Sequence, residues 1–314
     1  MNNLRGILLP FPTPFGSDCG AHLRALRSNI EKWNAMGVDG YVALGSTGER
    51  VHLDDGECLE VIEAAREAVP KPLAFIVGAG QQGTRATVRE VRRFAAAGAD
   101  ALLVITPHFY RQAMTQAALI DHYTVVADAS PVPVILYSMP EFTSVTLAPE
   151  TVARLSEHEN IIGIKDSSGD LINLTETLRL VPEDFAVLTG NGSLLYAALS
   201  AGAQGAILAV GCVAPRLALA IYRAVQEGDH EAARDMQRRL TPLARAVTVR
   251  YGIGGLKAAL DLLGFSGGAV RAPLQAASPE AGRTIAQLLE EARVDEKEAS
   301  RAGEERRPAG ASRQ

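Results

Sequence analysis

Short apolar runs alternate with longer amphipathic stretches along most of this chain, and that alternation restricts the fold more than any other feature. The apolar runs fall at 6–10, 40–44, 73–77, 101–105, 134–137, 161–165, 186–189 and 205–209. Runs this short, rich in Val, Ile and Leu and bounded by Gly, Pro or Asp, read as strands. They are continuous rather than strictly alternating, which suits strands buried on both faces. Between them lie helical patterns such as 22–36, 54–69, 84–97, 116–127, 149–155 and 192–201. Asp54 with Glu57 predicts a capping box at the start of the second of these. Eight strands, each followed by helix, predict an α/β fold, a (β/α)8 TIM barrel.

Beyond Pro215 the strand pattern stops. Residues 216–226, 231–249, 255–263 and 279–293 read as helices, the last with Pro279 near its start. The expected organisation is a barrel over 1–214, a helical C-terminal subdomain over 215–294, and a disordered, charged tail over 295–314. With 314 residues and 47% hydrophobic content, there is ample material for one large core. A net charge of -5 argues against nucleic acid or an anionic membrane as partner. Cys19, Cys58 and Cys212 are too few and too far apart for a disulfide framework or a zinc cluster, and the histidines show no metal-ligand spacing. No leader-like segment and no apolar stretch of membrane-spanning length stands out. The expectation is a soluble, cytoplasmic protein that uses no metal and no cofactor.

In a parallel barrel the active site forms at the C-terminal ends of the strands. The sixth apolar run ends in Gly163-Ile164-Lys165-Asp166. An ammonium buried there is disfavoured by desolvation, and a lysine driven to its neutral form is a nucleophile able to form a Schiff base with a ketone. The plain alternative is a lysine that snorkels to solvent or pairs with Asp166. The second run leads into Gly45-Ser46-Thr47-Gly48-Glu49, which is either a tight turn or a nest of N–H groups and hydroxyls for a carboxylate. The fifth ends at Tyr137, either core packing or a proton-transferring phenol. The eighth carries Ile207. Convergence of a lysine, a tyrosine and a carboxylate nest on one barrel mouth favours the functional reading of each.

A competing motif is Gly78-Ala79-Gly80-Gln81-Gln82-Gly83, which fits G-x-G-x-x-G between a strand and a helix. A dinucleotide fold needs its acidic residue at the C-terminal end of the next strand. Here Asp100 precedes the run 101–105, at the wrong end. A barrel loop explains these glycines better. No phosphate-binding G-x-x-x-x-G-K-[ST] and no G-x-S-x-G elbow is present.

With Gly45-Ser46-Thr47-Gly48-Glu49, Leu136-Tyr137-Ser138-Met139-Pro140 and Gly163-Ile164-Lys165-Asp166 in place, the chain resembles the dihydrodipicolinate synthase/N-acetylneuraminate lyase family of Schiff-base-forming barrels, from about residue 6 to 278. The resemblance implies that Lys165 forms the Schiff base and Tyr137 transfers protons. It implies that Ser46 and Thr47 bind the 2-oxo acid carboxylate and join the relay, and that Ile207 lines the pyruvate site. It also implies a homotetramer built as a dimer of dimers. Within the family, 117–140 and 251–274 look most like 4-hydroxy-2-oxoglutarate aldolases, and Ser138 after the tyrosine agrees.

Two positions depart from the family pattern. Dihydrodipicolinate synthases carry an arginine two residues after the proline of the tyrosine motif, to grip a semialdehyde carboxylate; here that residue is Phe142. Loss of such a partner costs roughly 2–5 kcal/mol of recognition. Many relatives place a tyrosine, donated across the dimer interface, where this chain has Phe109. Either Tyr110 or water replaces its hydroxyl, or the relay differs. Together Phe109 and Phe142 suggest an apolar outer pocket and an acceptor aldehyde larger or less charged than glyoxylate. The expected activity is a pyruvate-dependent class I aldolase acting on a 4-hydroxy-2-oxo acid and an aldehyde. The alternatives are 4-hydroxy-tetrahydrodipicolinate synthase, dehydration of a 2-oxo acid through the same imine, or a barrel that binds 2-oxo acids without turning them over.

Overall fold

The computed structural model describes residues 4–294; the segment predicted as a tail, 295–314, lies outside them. Eight strands form: β1 Gly6–Pro10, β2 Gly40–Ala43, β3 Ala74–Ala79, β4 Ala101–Ile105, β5 Val134–Ser138, β6 Ile161–Asp166, β7 Ala186–Thr189 and β8 Gly205–Ile207. Each pairs in parallel with its neighbour in sequence, and β8 closes on β1, so the predicted (β/α)8 barrel is the fold of this chain. Residues of each strand alternate between two apolar layers. Leu8, Val42, Ile76, Leu103, Ile135 and Leu188 fill the barrel interior. Leu9, Tyr41, Phe75, Val104, Leu136 and Val187 face outward under the helices. Burial on both faces is why these strands lack a polar alternate.

Two strand ends differ from the apolar runs. β3 continues through Gly78 and Ala79 because a bare backbone is needed there: a Cβ on Gly78 would lie 2.2 Å from the Leu44 carbonyl oxygen. β8 stops at Ile207, and Ala209–Cys212 coils into a short 3-10 turn. A brief buried apolar run does not by itself distinguish these two outcomes. The ladder between β5 and β6 carries one irregularity. Val134 pairs with Ile161 but Ile135 with Gly163, so Ile162 is an extra residue in β6.

Helices follow the strands as expected, and the capping box is present: Glu57 N donates to Asp54 Oδ1 at 2.9 Å while Asp54 N donates to Glu57 Oε2 at 3.0 Å. A helix over Leu171–Leu180, capped by Asp170, fills the place between β6 and β7. Helix Pro215–Gln226 packs on β1 and serves as the barrel's own eighth helix. The boundary at 215 therefore falls ahead of the barrel's last helix, and the extension proper is His230–Arg245, Gly252–Leu262 and Pro279–Ala292. The first of these runs on through a π-helical turn, Ala246–Arg250. Among the described residues, no helix is long and apolar enough to cross a membrane.

Candidate active site

The turn after β2 is set by two residues in the left-handed region, Leu44 (φ 53°) and Glu49 (φ 55°), a conformation that costs a residue bearing a side chain. Between them Ser46–Gly48 make one 3-10 turn, in which Gly48 N donates to Gly45 O (2.9 Å) and Glu49 N to Ser46 O (3.2 Å). Those two N–H groups are consumed inside the turn. The N–H groups of Ser46 and Thr47, at its start, are the ones a carboxylate could use. Thr47 is buried.

Lys165 stands in register with Tyr137 on one side and Leu188 on the other, both interior residues, so its side chain points into the barrel. It is 6% exposed. Its amine nitrogen lies over the Tyr137 ring, 4.5 Å from the centroid, and the Tyr137 hydroxyl is 3.4 Å from Ser46 Oγ. Asp166, the partner that the plain alternative offered to Lys165, pairs outward with Ser138 and Thr189 and accepts from Ser168 N at 2.7 Å. Gly190, after β7, leaves room for the lysine: a Cβ there would come within 2.9 Å of Lys165 Cε.

Ser46, Tyr137 and Phe142 lie in the wall of one cavity of about 580 Å³ at the mouth of the barrel, closed partly by Ile253 and Leu274 of the C-terminal region. Lys165 is not itself in that wall and adjoins it at Tyr137. Ile207 is fully buried in the interior layer that also holds Tyr137. Phe142, on the short helix Pro140–Thr143, is 61% exposed at the outer rim. Phe109 is not brought to the cavity. Its ring packs edge-on against Tyr110, and its N–H donates to Gln82 Oε1 at 2.8 Å. The glycines of 78–83 build the βα loop after β3, and Asp100 sits at the opposite end of the barrel, accepting from Phe75 N at 3.0 Å.

A network under the turn escaped the sequence reading. Glu49, 2% exposed, pairs with Lys257 Nζ at 2.5 Å and accepts from Arg271 N at 3.0 Å. The Arg271 guanidinium grips Glu57, reaches the carbonyls of Cys19 and His52, and lies 4.3 Å from the Phe15 ring centroid. Nothing local marks Lys257 or Arg271 as partners of so distant a motif. The Arg271 guanidinium holds the Glu57 carboxyl down at about 2. Because the folded carboxyl binds its proton less tightly than the unfolded one, this contribution is full above the ordinary value of 4.5 and disappears as pH falls toward about 2. Glu57→Gln, which keeps the capping box, should lower the melting temperature at pH 7 and converge with the parent across that window. A constant gap from pH 7 to 2, measured by circular dichroism, would show that the ion pair is not its source.

Among known proteins, residues 3–292 match the model of the "Dihydrodipicolinate synthetase family". The 4-hydroxy-tetrahydrodipicolinate synthase of Methanospirillum hungatei is 34% identical over 287 residues, covering 90% of this chain and 98% of the relative. The solved dihydrodipicolinate synthase of Thermotoga maritima superposes with a TM-score of 0.88 at 30% identity, over 92% of this chain and 99% of that one. YagE of E. coli K12, a protein of the dihydrodipicolinic acid synthase family solved with pyruvate, gives 0.86 at 28% identity, over 93% and 99%. All three carry the synthase or family name, and none of them bears the name of the 4-hydroxy-2-oxoglutarate aldolase branch. With a family match over nearly the whole chain and a barrel that superposes on solved members, the chain belongs to the dihydrodipicolinate synthetase family and is a Schiff-base-forming carbon–carbon lyase.

Proposed function

We propose that the chain is a pyruvate-dependent aldolase in which Lys165 is the nucleophile. The observation that carries this reading is the row of Lys165 and Tyr137 on the adjoining strands β6 and β5 with Ser46 reaching Tyr137 from the turn after β2, with 4.5 Å from amine to ring centroid and 3.4 Å between the hydroxyls. The Lys165 amine attacks C2 of a 2-oxo acid whose carboxylate rests on the Ser46–Thr47 turn, and loss of water leaves a protonated imine. That imine is an electron sink. Tyr137 takes the proton of the C4 hydroxyl, the C3–C4 bond breaks, an aldehyde departs, and its bonding electrons remain as an enamine. Protonation at C3 and hydrolysis of the imine return pyruvate and free lysine. Run backwards, the same steps condense pyruvate with an aldehyde. Ile207 packs beside the pyruvate methyl, and Phe142 faces the aldehyde's outer end. Pyruvate as the shared substrate is supported by the pyruvate complex of YagE. The same reading takes the protein as cytoplasmic and homotetrameric, with exposed Phe109 and Tyr110 at a subunit contact.

For the aldehyde, Phe142 favours a 4-hydroxy-2-oxo acid aldolase, since its ring offers no hydrogen bond or charge to a second carboxylate. The names of the curated relatives favour 4-hydroxy-tetrahydrodipicolinate synthase instead. The two readings part on one assay. Purified protein given pyruvate and aspartate semialdehyde should turn over slowly, and Phe142→Arg should raise that rate by roughly tenfold or more. Rapid condensation of this pair by the parent protein would establish the synthase reading and remove the aldolase one.

A further inference from the structure

Glu49 takes no part in the steps above, yet it closes the turn that carries Ser46 and Thr47. Its backbone is held in the left-handed region at φ 55°. Its carboxylate lies in a buried site with Lys257 Nζ at 2.5 Å, Arg271 N at 3.0 Å and His52 Nδ1 at 3.3 Å. Lys257 is 2% exposed, donates to Ala269 O at 2.5 Å, and sits 4.5 Å from the centroid of the Phe15 ring. Burial pushes the Lys257 amine below its ordinary value, with Glu49 acting against that shift. A pair this deeply desolvated is a poor device for stability, because apolar residues of similar volume serve as well or better. What it does supply is a fixed conformation. Glu49 N donates to Ser46 O at the end of the turn, so a carboxylate anchored on this residue pins the turn's last hydrogen bond, and Thr13 Oγ1 locks the same turn by donating to Gly48 O at 2.8 Å.

We propose that Glu49 and Lys257 are a positioning pair, through which helix Gly252–Leu262 of the C-terminal extension fixes the Ser46–Thr47 turn opposite Tyr137 and so sets the affinity for the 2-oxo acid carboxylate. This rests on the reading of that turn as the carboxylate site. When the pair is removed, the Glu49 side chain loses its anchor, the residue shifts and carries its N–H off Ser46 O, and the Ser46 and Thr47 N–H groups lose their common aim. The lysine chemistry, carried on β6, is left intact.

The test compares the parent with Glu49→Gln, Lys257→Met, the double variant Glu49→Gln/Lys257→Met, and Glu49→Asp. Each is titrated with pyruvate, reduced with borohydride, and analysed by mass for the pyruvyl adduct at Lys165, alongside thermal melts. Either single exchange leaves one buried charge without its partner and should lower the melting temperature; the double variant removes both charges together and should melt closer to the parent than either single variant does. The double variant should nevertheless need about tenfold or more pyruvate for half-maximal trapping, with the same adduct yield at saturation, as expected of a misaimed binding group. Glu49→Asp keeps both charges but shortens the reach, and it should show the same rise. If either folded variant traps pyruvate at the parent's concentration, the pair is structural only and the proposal falls. No adduct in the parent sinks the Schiff-base reading itself, and the positioning claim with it.

Discussion

Lys165→Ala is expected to abolish turnover, a loss of roughly 10⁴-fold or more, and to erase the borohydride-trapped pyruvyl adduct. The size follows from what the residue supplies. Without the imine there is no electron sink beside C3, and neither Tyr137 nor the Ser46–Thr47 turn can create one. The side chain points into the interior layer and the barrel closes without help from its amine, so the variant should remain folded. Residual lyase activity within about tenfold of the parent, or an adduct that persists on another lysine, would overturn the assignment.

Gly190→Ala is expected to lower kcat by roughly 100-fold while leaving the melting temperature within a few degrees. A Cβ at Gly190 would lie 1.9 Å from Ser167 Oγ and 2.9 Å from Lys165 Cε. Ser167 can rotate its hydroxyl away, and its Cβ, 3.0 Å from the added methyl, need give only by a few tenths of an ångström. Lys165 cannot move Cε without carrying its amine off the Tyr137 ring. Gly83→Ala is the control, since a Cβ there meets nothing within 4 Å. Equal rates for the two variants would mean that the observed lysine conformation is not the reactive one.

The barrel was legible because its strands are buried on both faces and so write themselves as continuous apolar runs. Lys165, Tyr137 and Ser46 were legible for a related reason: polar residues at the ends of such runs have few other places to go. What the sequence hid were relations between distant segments. The Asp54–Glu57 capping box can be read from four consecutive positions, yet the grip of Arg271 on Glu57 spans 214 residues. Glu49 and Lys257 each look ordinary where they stand, and only the packing of helix Gly252–Leu262 under the β2 turn makes them a pair. Leu44 gives no sign of its left-handed backbone; the signal lies in Gly78, whose missing Cβ makes way for the Leu44 carbonyl. The rim was only half legible. Phe142 reaches the cavity as its position suggested, whereas Phe109 turns away toward Tyr110.

The extra residue in β6 has a meaning beyond its local geometry. Side chains along a strand alternate with a period of two, so inserting one residue inverts the phase of everything after it. Ile161 faces the helices with Val134, and by plain alternation Gly163 and Lys165 would face them too. Ile162 absorbs one count, and from Gly163 onward the strand is out of step with its beginning. Lys165 therefore points inward by parity, with Ile164 and Asp166 sent outward in the same stroke. In this barrel the direction of Lys165 is stored three residues upstream of it, as an odd number.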